Sequence, residues 1–160
     1  MLSVKLVCVG KMRERHYIEA FREYEKRLGA FCRFELTELA EQRLSEDPSP
    51  KAVSAALERE GAEIERQIPK GAYTVAMCVE GKRLSSEALA QCIGDRASAG
   101  VSRLCFVVGG SFGLADSVKA RADLCLSMSD MTFPHHLARV MLAEQIYRAF
   151  TILGGSRYHK

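Results

Sequence analysis

The stretch that decides the fold is residues 103–113, Arg-Leu-Cys-Phe-Val-Val-Gly-Gly-Ser-Phe-Gly. Its first half is a near-continuous apolar run, which is typical of a strand buried on both faces in a parallel sheet. Residues 109–113, which contain three glycines, follow this strand, and we call them the glycine loop. The glycine loop would lie at the carboxyl edge of that sheet, where open α/β sheets bind ligands. The loop lacks the Lys-Ser/Thr pair of a Walker loop and the GxGxxG spacing, so a plain tight connection remains the alternative to a binding site.

Strand and helix patterns alternate on both sides of this stretch. Further strands are predicted at 2–9, 33–39, 73–79 and 124–127, and helices at 16–28, 51–67, from Ser85 or Ser86 to about 99, 114–122 and 134–153. Turns are predicted at 10–11 and 80–82, a mobile loop at 40–50, and Thr132 as a possible cap of the last helix. The order βαβαβαβαβα predicts one α/β domain over 1–160, a mostly parallel sheet with helices on both faces.

Composition and charge narrow the function classes. The chain has 160 residues, of which 48% are hydrophobic and 27% charged, so it cannot be a disordered tail protein. A chain of this length can form a full hydrophobic core without disulfides or a structural metal. The net charge of +3 lies entirely in the last thirty residues. This segment contains four cations and one anion, namely Arg139, Arg148, Arg157 and Lys160 against Glu144. This asymmetry indicates contact with an anionic partner, although a solvated helix and tail would look the same.

The cysteines and the apolar runs suggest a cytoplasmic protein without metal or membrane contact. Six cysteines stand at least thirteen positions apart, so no CxxC element of a zinc or redox site exists, and buried free thiols in a reducing compartment are expected. No signal peptide is expected at the start of the chain, and no apolar run approaches the roughly 20 residues of a membrane span.

Two further segments carry more apolar residues than their place predicts. The last helix is apolar on nearly every side, where a surface helix would show one stripe, so we expect it to contact a partner subunit, most simply in a homodimer. Residues 126–134 are rich in methionine, phenylalanine and small hydroxyl residues, which suits either an apolar pocket with a few polar groups or a buried crossover.

Several motifs together resemble one family. They are Val-Glu-Gly-Lys-Arg-Leu-Ser-Ser (79–86), Val-Val-Gly-Gly-Ser-Phe-Gly-Leu (107–114), Ser-Met-Ser-Asp-Met-Thr-Phe-Pro-His-His (127–136), Arg-Val-Met-Leu-Ala-Glu-Gln-Ile-Tyr-Arg-Ala-Phe (139–150), the terminal Tyr-His-Lys and the opening Val-Cys-Val-Gly-Lys (7–11). In this order they resemble the bacterial large-subunit ribosomal RNA pseudouridine N3-methyltransferases of the SPOUT class, over the whole chain.

The resemblance implies a fold, a cofactor and a substrate. It implies a deep C-terminal trefoil knot over roughly 73–160, a homodimer, S-adenosylmethionine as methyl donor without a metal, and 23S rRNA in the assembled ribosome as substrate. The donor contacts it implies are Met77, Gly109, Met128, Ser129, Asp130, Met131, Thr132 and Phe133. The candidates for helping to remove the N3 proton are His135, Arg139, Tyr158 and His159, among which the sequence does not choose. A non-catalytic RNA- or ribosome-binding factor and a flavodoxin-like nucleotide-binding protein are the competing hypotheses.

Overall fold

The computed structural model describes residues 1–160 as five strands and five helices in strict alternation. The strands are β1 (Ser3–Val9), β2 (Arg33–Leu39), β3 (Tyr73–Arg83), β4 (Arg103–Val108) and β5 (Leu124–Ser127). The helices are α1 (Arg15–Leu28), α2 (Pro50–Gln67), α3 (Ser86–Ser98), α4 (Asp116–Arg121) and α5 (His135–Leu153). The predicted order is confirmed. Most boundaries coincide or differ by one or two residues, and β3 ends four residues later than predicted.

All five strands are parallel, in the order β2-β1-β4-β3-β5. β4 lies in the centre, and its residues 104–108 are buried, as its unbroken apolar run predicts. β2 lies at one edge and alternates between exposed and half-buried residues. The predicted α/β class with a parallel sheet is therefore confirmed.

Helices cover both faces of the sheet and divide the core in two. On one face α1, α3 and α5 pack over a cluster that includes Phe21, Phe106 and Ile146. On the other face α2 and α4 pack over a smaller cluster that includes Ile64 and Val107. Phe106 and Val107 are adjacent in β4 and point to opposite faces, which is why a strand covered on both sides contains no polar position.

Of the two predicted helix caps, the one at the start of α3 is confirmed and the one at the start of α5 is not. Ser49 and Ser85 accept hydrogen bonds from Ala52 and Ala88 at the starts of α2 and α3. The Thr132 cap is wrong, because α5 begins at His135 with Pro134 as its N-cap and no side-chain cap bond. Proline fixes its own φ near the helical value, which lets the helix start without a side-chain cap.

The predicted turn at 80–82 is also wrong. β3 continues to Arg83, and after an irregularity Lys82 and Arg83 pair with Leu126 and Ser127 of β5. The two strands come so close that a Cβ atom at Gly81 would lie 2.8 Å from main-chain atoms of β5, a distance that excludes any larger residue. A Gly flanked by charges predicts a turn by composition, but here it permits a close crossing. The trefoil knot at 73–160 stays a prediction, compatible with this crossing.

The loop predicted to be mobile at 40–50 ends where α2 begins at Pro50, and it is hydrogen-bonded to the rest of the protein. Glu41 accepts a hydrogen bond from the main-chain N–H of Ser111 at 3.0 Å, and the N–H of Gln42 donates to Glu60 at 2.8 Å. All six cysteines are free, but only Cys8, Cys32 and Cys105 are buried, as predicted. The other three, Cys78, Cys92 and Cys125, are half-buried. No helix combines the length and the apolar character that crossing a membrane requires.

Candidate functional site

A cavity of about 580 Å³ opens at the carboxyl ends of β3, β4 and β5, three neighbouring strands. Its walls are the end of β3, the glycine loop and the segment between β5 and α5, and half of its lining residues are hydrophobic. Volumes of about 300–1,000 Å³ with apolar walls and a few polar groups are typical of sites for small molecules. The cavity is thus large enough for a nucleoside-sized ligand.

Seven of the eight predicted donor contacts line this one cavity: Met77, Gly109, Met128, Ser129, Met131, Thr132 and Phe133. Asp130 does not, because its carboxylate accepts a hydrogen bond from Arg83 at 2.6 Å and is exposed. Parallel strands place their carboxyl ends on one edge, so residues from three distant parts of the chain meet here.

The polar groups of the cavity are mainly those of the main chain. Among the N–H groups of residues 129–133, only that of Met131 donates within the protein, to Ser129 Oγ at 3.1 Å. The carbonyl of Ser129 accepts from Ser127 Oγ at 3.1 Å. The other main-chain N–H and carbonyl groups of 129–133 have no partner within the protein, so they can bond to the polar edge of a ligand. The one charged pair of the wall, Glu80 and Lys119, is joined at 2.5 Å, and this contact lowers the pKa of Glu80 and raises that of Lys119. The two charges compensate each other.

The glycine loop needs glycine because its backbone folds back on itself. Gly110 and Gly113 form an isolated bridge, and a Cβ atom at Gly109 would lie 2.3 Å from the carbonyl oxygen of Gly113. No side chain fits there, so the main chain itself forms the cavity wall. The N–H of Ser111, in this loop, donates to Glu41 at 3.0 Å.

Of the four predicted catalytic candidates, only His135 lines the cavity. It stands in the first turn of α5 with its ring 4.1 Å from that of His136. Burial, and after it the neighbouring His136, lowers the pKa of His135. The imidazole is therefore held in its neutral form, which can accept a proton.

Arg139 lies elsewhere, at the centre of a buried network. Its side chain is fully buried, and its guanidinium donates to Glu38 at 2.7 Å and to the carbonyl of Gly10 at 2.9 Å. Glu38 in turn accepts from the N–H of Met12 at 2.9 Å. These contacts fasten α5 to the ends of β1 and β2, and they leave Arg139 out of the cavity lining.

Tyr158 and His159 fold back onto the protein's own α5 and α3. The hydroxyl of Tyr158 donates to Glu144 at 3.1 Å, and His159 contacts Glu87 at 2.7 Å and Arg148 at 3.1 Å. Burial, followed by the bond to Glu144, raises the pKa of Tyr158 to about 12, so the phenol keeps its proton. Neither residue lines the large cavity. A second cavity of about 540 Å³, between the start of α3 and α5, includes Glu144 and shares Leu126, Ser127 and Met128 with the first.

Comparison with known proteins identifies the family. A family model described as predicted SPOUT methyltransferase matches residues 2–159. The chain belongs to the SPOUT methyltransferase family. Proteins named ribosomal RNA large subunit methyltransferase H from Clostridioides difficile, Bacillus pumilus and Bifidobacterium animalis are 43%, 42% and 45% identical to it, over 99% of this chain and 100% of each relative.

Solved structures agree on the fold. A tRNA (m1G37) methyltransferase from Aquifex aeolicus and a probable methylase family protein from Haemophilus influenzae each superpose with a TM-score of 0.57 at 12% identity. They cover 99% and 100% of this chain, which itself spans 73% and 72% of theirs. At this identity the likeness concerns the fold of this SPOUT methyltransferase alone.

Glu41 of this SPOUT methyltransferase is not among the residues that the sequence predicts for the site. It lies in the loop predicted to be mobile and contacts the glycine loop directly. Its only sequence signal is an acidic residue soon after an edge strand, which is too common to single out. No group of three or more His, Cys, Asp or Glu side chains is arranged to hold a metal ion.

Proposed function

We propose that this SPOUT methyltransferase transfers a methyl group from S-adenosylmethionine to N3 of a pseudouridine in 23S rRNA of the assembled ribosome, in the cytoplasm. The observation that carries the proposal is the cavity at the ends of β3, β4 and β5, into which seven of the eight residues implied by the family resemblance converge. The names of the relatives, which cover the full chain at 42–45% identity, support large-subunit rRNA as the substrate.

The cavity fits a methyl donor of this kind. Its apolar walls, Met77, Met128 and Phe133 among them, suit an adenine ring, and the unpaired main-chain groups at 129–133 suit the ring's polar edge. Gly109 lets the loop fold back against Gly113, so that the main chain of the loop forms this part of the wall. Asp130 faces Arg83, so we propose that any contact it makes with the donor comes from its main chain.

The donor supplies an activated methyl group when bound, so the protein's own task is to hold the uracil ring in line and to assist loss of the N3 proton. We propose His135 as the proton acceptor, because it lines the cavity and burial keeps it neutral. Tyr158 keeps its proton, so it can serve only as a hydrogen-bond donor, and it would have to exchange its bond to Glu144 for one to the substrate. We propose that His159 meets the substrate beside it. Arg139 holds α5 in place rather than touching the ring.

We also propose that the enzyme is a homodimer that contacts RNA through its tail. The second cavity lies on α5 and shares three lining residues with the donor cavity, so a partner docked there would sit beside the donor. Of the four cations in the last thirty residues, Arg139 and Arg148 are paired with Glu38 and Glu144. Only Arg157 and Lys160 are exposed without an ion-pair partner, so these two are the cations proposed to contact phosphates.

The test is mass spectrometry of rRNA nucleosides after incubation with labelled donor. We expect label in 3-methylpseudouridine from assembled ribosomes, and little from free 23S rRNA or from ribosomes lacking the pseudouridine. Label in another nucleoside would refute the proposed target. Calorimetry with S-adenosylmethionine and S-adenosylhomocysteine separates the alternatives: binding of neither, with ribosome binding retained, would favour a non-catalytic factor, and affinity for a flavin or nucleotide would favour a flavodoxin-like protein.

A further inference from the structure

Glu41 reaches the glycine loop from outside the C-terminal half of the chain. It lies in the loop after β2, seventy positions before Ser111, and its Oε1 accepts the main-chain N–H of Ser111 at 3.0 Å. Ser111 and Gly110 both line the large cavity. The carboxylate is thus bound to the outer side of a loop whose other side forms the cavity wall.

The contact leaves no room for a side chain at position 110 unless the Glu41 carboxylate moves. A Cβ atom at Gly110 would lie 2.5 Å from Oε1 of Glu41 and 3.0 Å from its Cδ. Glycine at this position therefore leaves room for the carboxylate against the main chain. The Glu41 carboxylate is thus a reason for glycine at position 110, and it is separate from the close approach to Gly113 that requires glycine at position 109.

The same carboxylate also faces the other loops of this edge. A Cβ atom at Gly10, at the end of β1, would lie 3.7 Å from Oε2 of Glu41 and 3.9 Å from Nε2 of His135. The loop that carries Glu41 is anchored in turn, because the N–H of Gln42 donates to the buried Glu60 at 2.8 Å. The hydrogen bond between Gln42 and Glu60 therefore fixes the loop so that Glu41 lies near the ends of β1 and β4 and the start of α5.

We propose that Glu41 is a positioning residue that holds the glycine loop in the conformation that binds the methyl donor. It acts through its hydrogen bond to Ser111 and needs no contact with the donor. The inference rests on the proposed function, since it assumes that the large cavity is the donor site. It assigns part of that site to the N-terminal half, outside the region predicted to be knotted.

The test compares Glu41→Ala and Glu41→Gln, with Glu46→Ala as the control. Glu46 is an exposed carboxylate of the same loop with no hydrogen bond to the protein. Loss of one hydrogen bond to a charged, solvent-exposed acceptor predicts an increase of about three- to tenfold in the dissociation constant of S-adenosylmethionine for Glu41→Ala. Glu41→Gln keeps an acceptor oxygen, so its dissociation constant should stay within about twofold of wild type, as should that of Glu46→Ala.

A second readout needs no ligand. Hydrogen exchange of the Ser111 amide in the free protein should accelerate in Glu41→Ala and stay slow in Glu41→Gln. Gly110→Ala should displace the carboxylate, and its effect on exchange should largely vanish in the Glu41→Ala background, which a double-mutant cycle measures. Unchanged exchange in Glu41→Ala, or equal loss in both Glu41 variants, would overturn the inference. Wild-type protein that binds no donor while Glu41→Ala still accelerates exchange would instead count against the proposed function.

Discussion

Replacing Arg139 by alanine should unfold the protein more easily rather than disable an otherwise intact site. The guanidinium is fully buried and is bonded to the Glu38 carboxylate and the carbonyl of Gly10. Removing one partner of such a pair leaves a charge without compensation and typically costs about 3–5 kcal/mol. For a domain of this size 1 kcal/mol shifts the melting temperature by about 2–4 °C. We therefore expect Arg139→Ala to melt roughly 6–20 °C below wild type.

The control is an ion pair at the surface. Arg15 pairs with Glu19 on α1 at 2.8 Å and is 91% exposed, so Arg15→Ala should lose at most about 1 kcal/mol. Thermal unfolding followed by circular dichroism measures both variants, and Glu38→Ala combined with Arg139→Ala should cost less than the sum of the two changes. A melting temperature equal to wild type in Arg139→Ala, together with lost methyl transfer, would refute this reasoning and return Arg139 to the catalytic candidates.

Four further outcomes follow from the proposed site. His159→Ala should lower methyl transfer to ribosomes far more than it lowers S-adenosylmethionine affinity in calorimetry; equal turnover in mutant and wild type would remove His159 from the reaction. Gly109→Ala should abolish donor binding, because the new Cβ would lie 2.3 Å from a main-chain oxygen, and normal affinity would place the donor elsewhere. If His135 accepts the N3 proton, the acid limb of the pH–rate profile should lie below the ordinary histidine pKa of 6.5, because burial lowers its pKa, and should disappear in His135→Gln. The same shift makes the folded protein lose stability as the pH falls below 6.5, since only the unfolded chain then takes up the proton readily.

The periodicity of the chain was sufficient for the class of fold and for the edge that carries the site. Leu104–Val108 has no polar position, which only a strand covered on both faces tolerates, and the alternation with helices then requires a parallel sheet. Once the strands are parallel, the segments after β3, β4 and β5 must meet at one edge. The segments that line the cavity could therefore be chosen from local sequence alone, without knowing the order of the strands.

Local sequence failed where a residue's role depends on what approaches it from a distant part of the chain. Gly81 has the neighbours of a turn residue, but the passage of β5 within 2.8 Å of its Cβ position makes it part of a continued strand. Arg139 and Glu41 look like ordinary charged residues of a helix and a loop. One is buried by a partner 101 positions away, and the other is bound to an N–H seventy positions ahead.

By itself, the sequence determined the α/β class, the carboxyl edge as the binding side and the family of the protein, because these depend on hydrophobic period and on contiguous motifs. Only the tertiary structure decided which charges are free, which are buried and which hold the glycine loop. Pairing of charges is a property of distances in space. The net charge of the last thirty residues, half of whose cations are paired, says little about the charge that a partner meets.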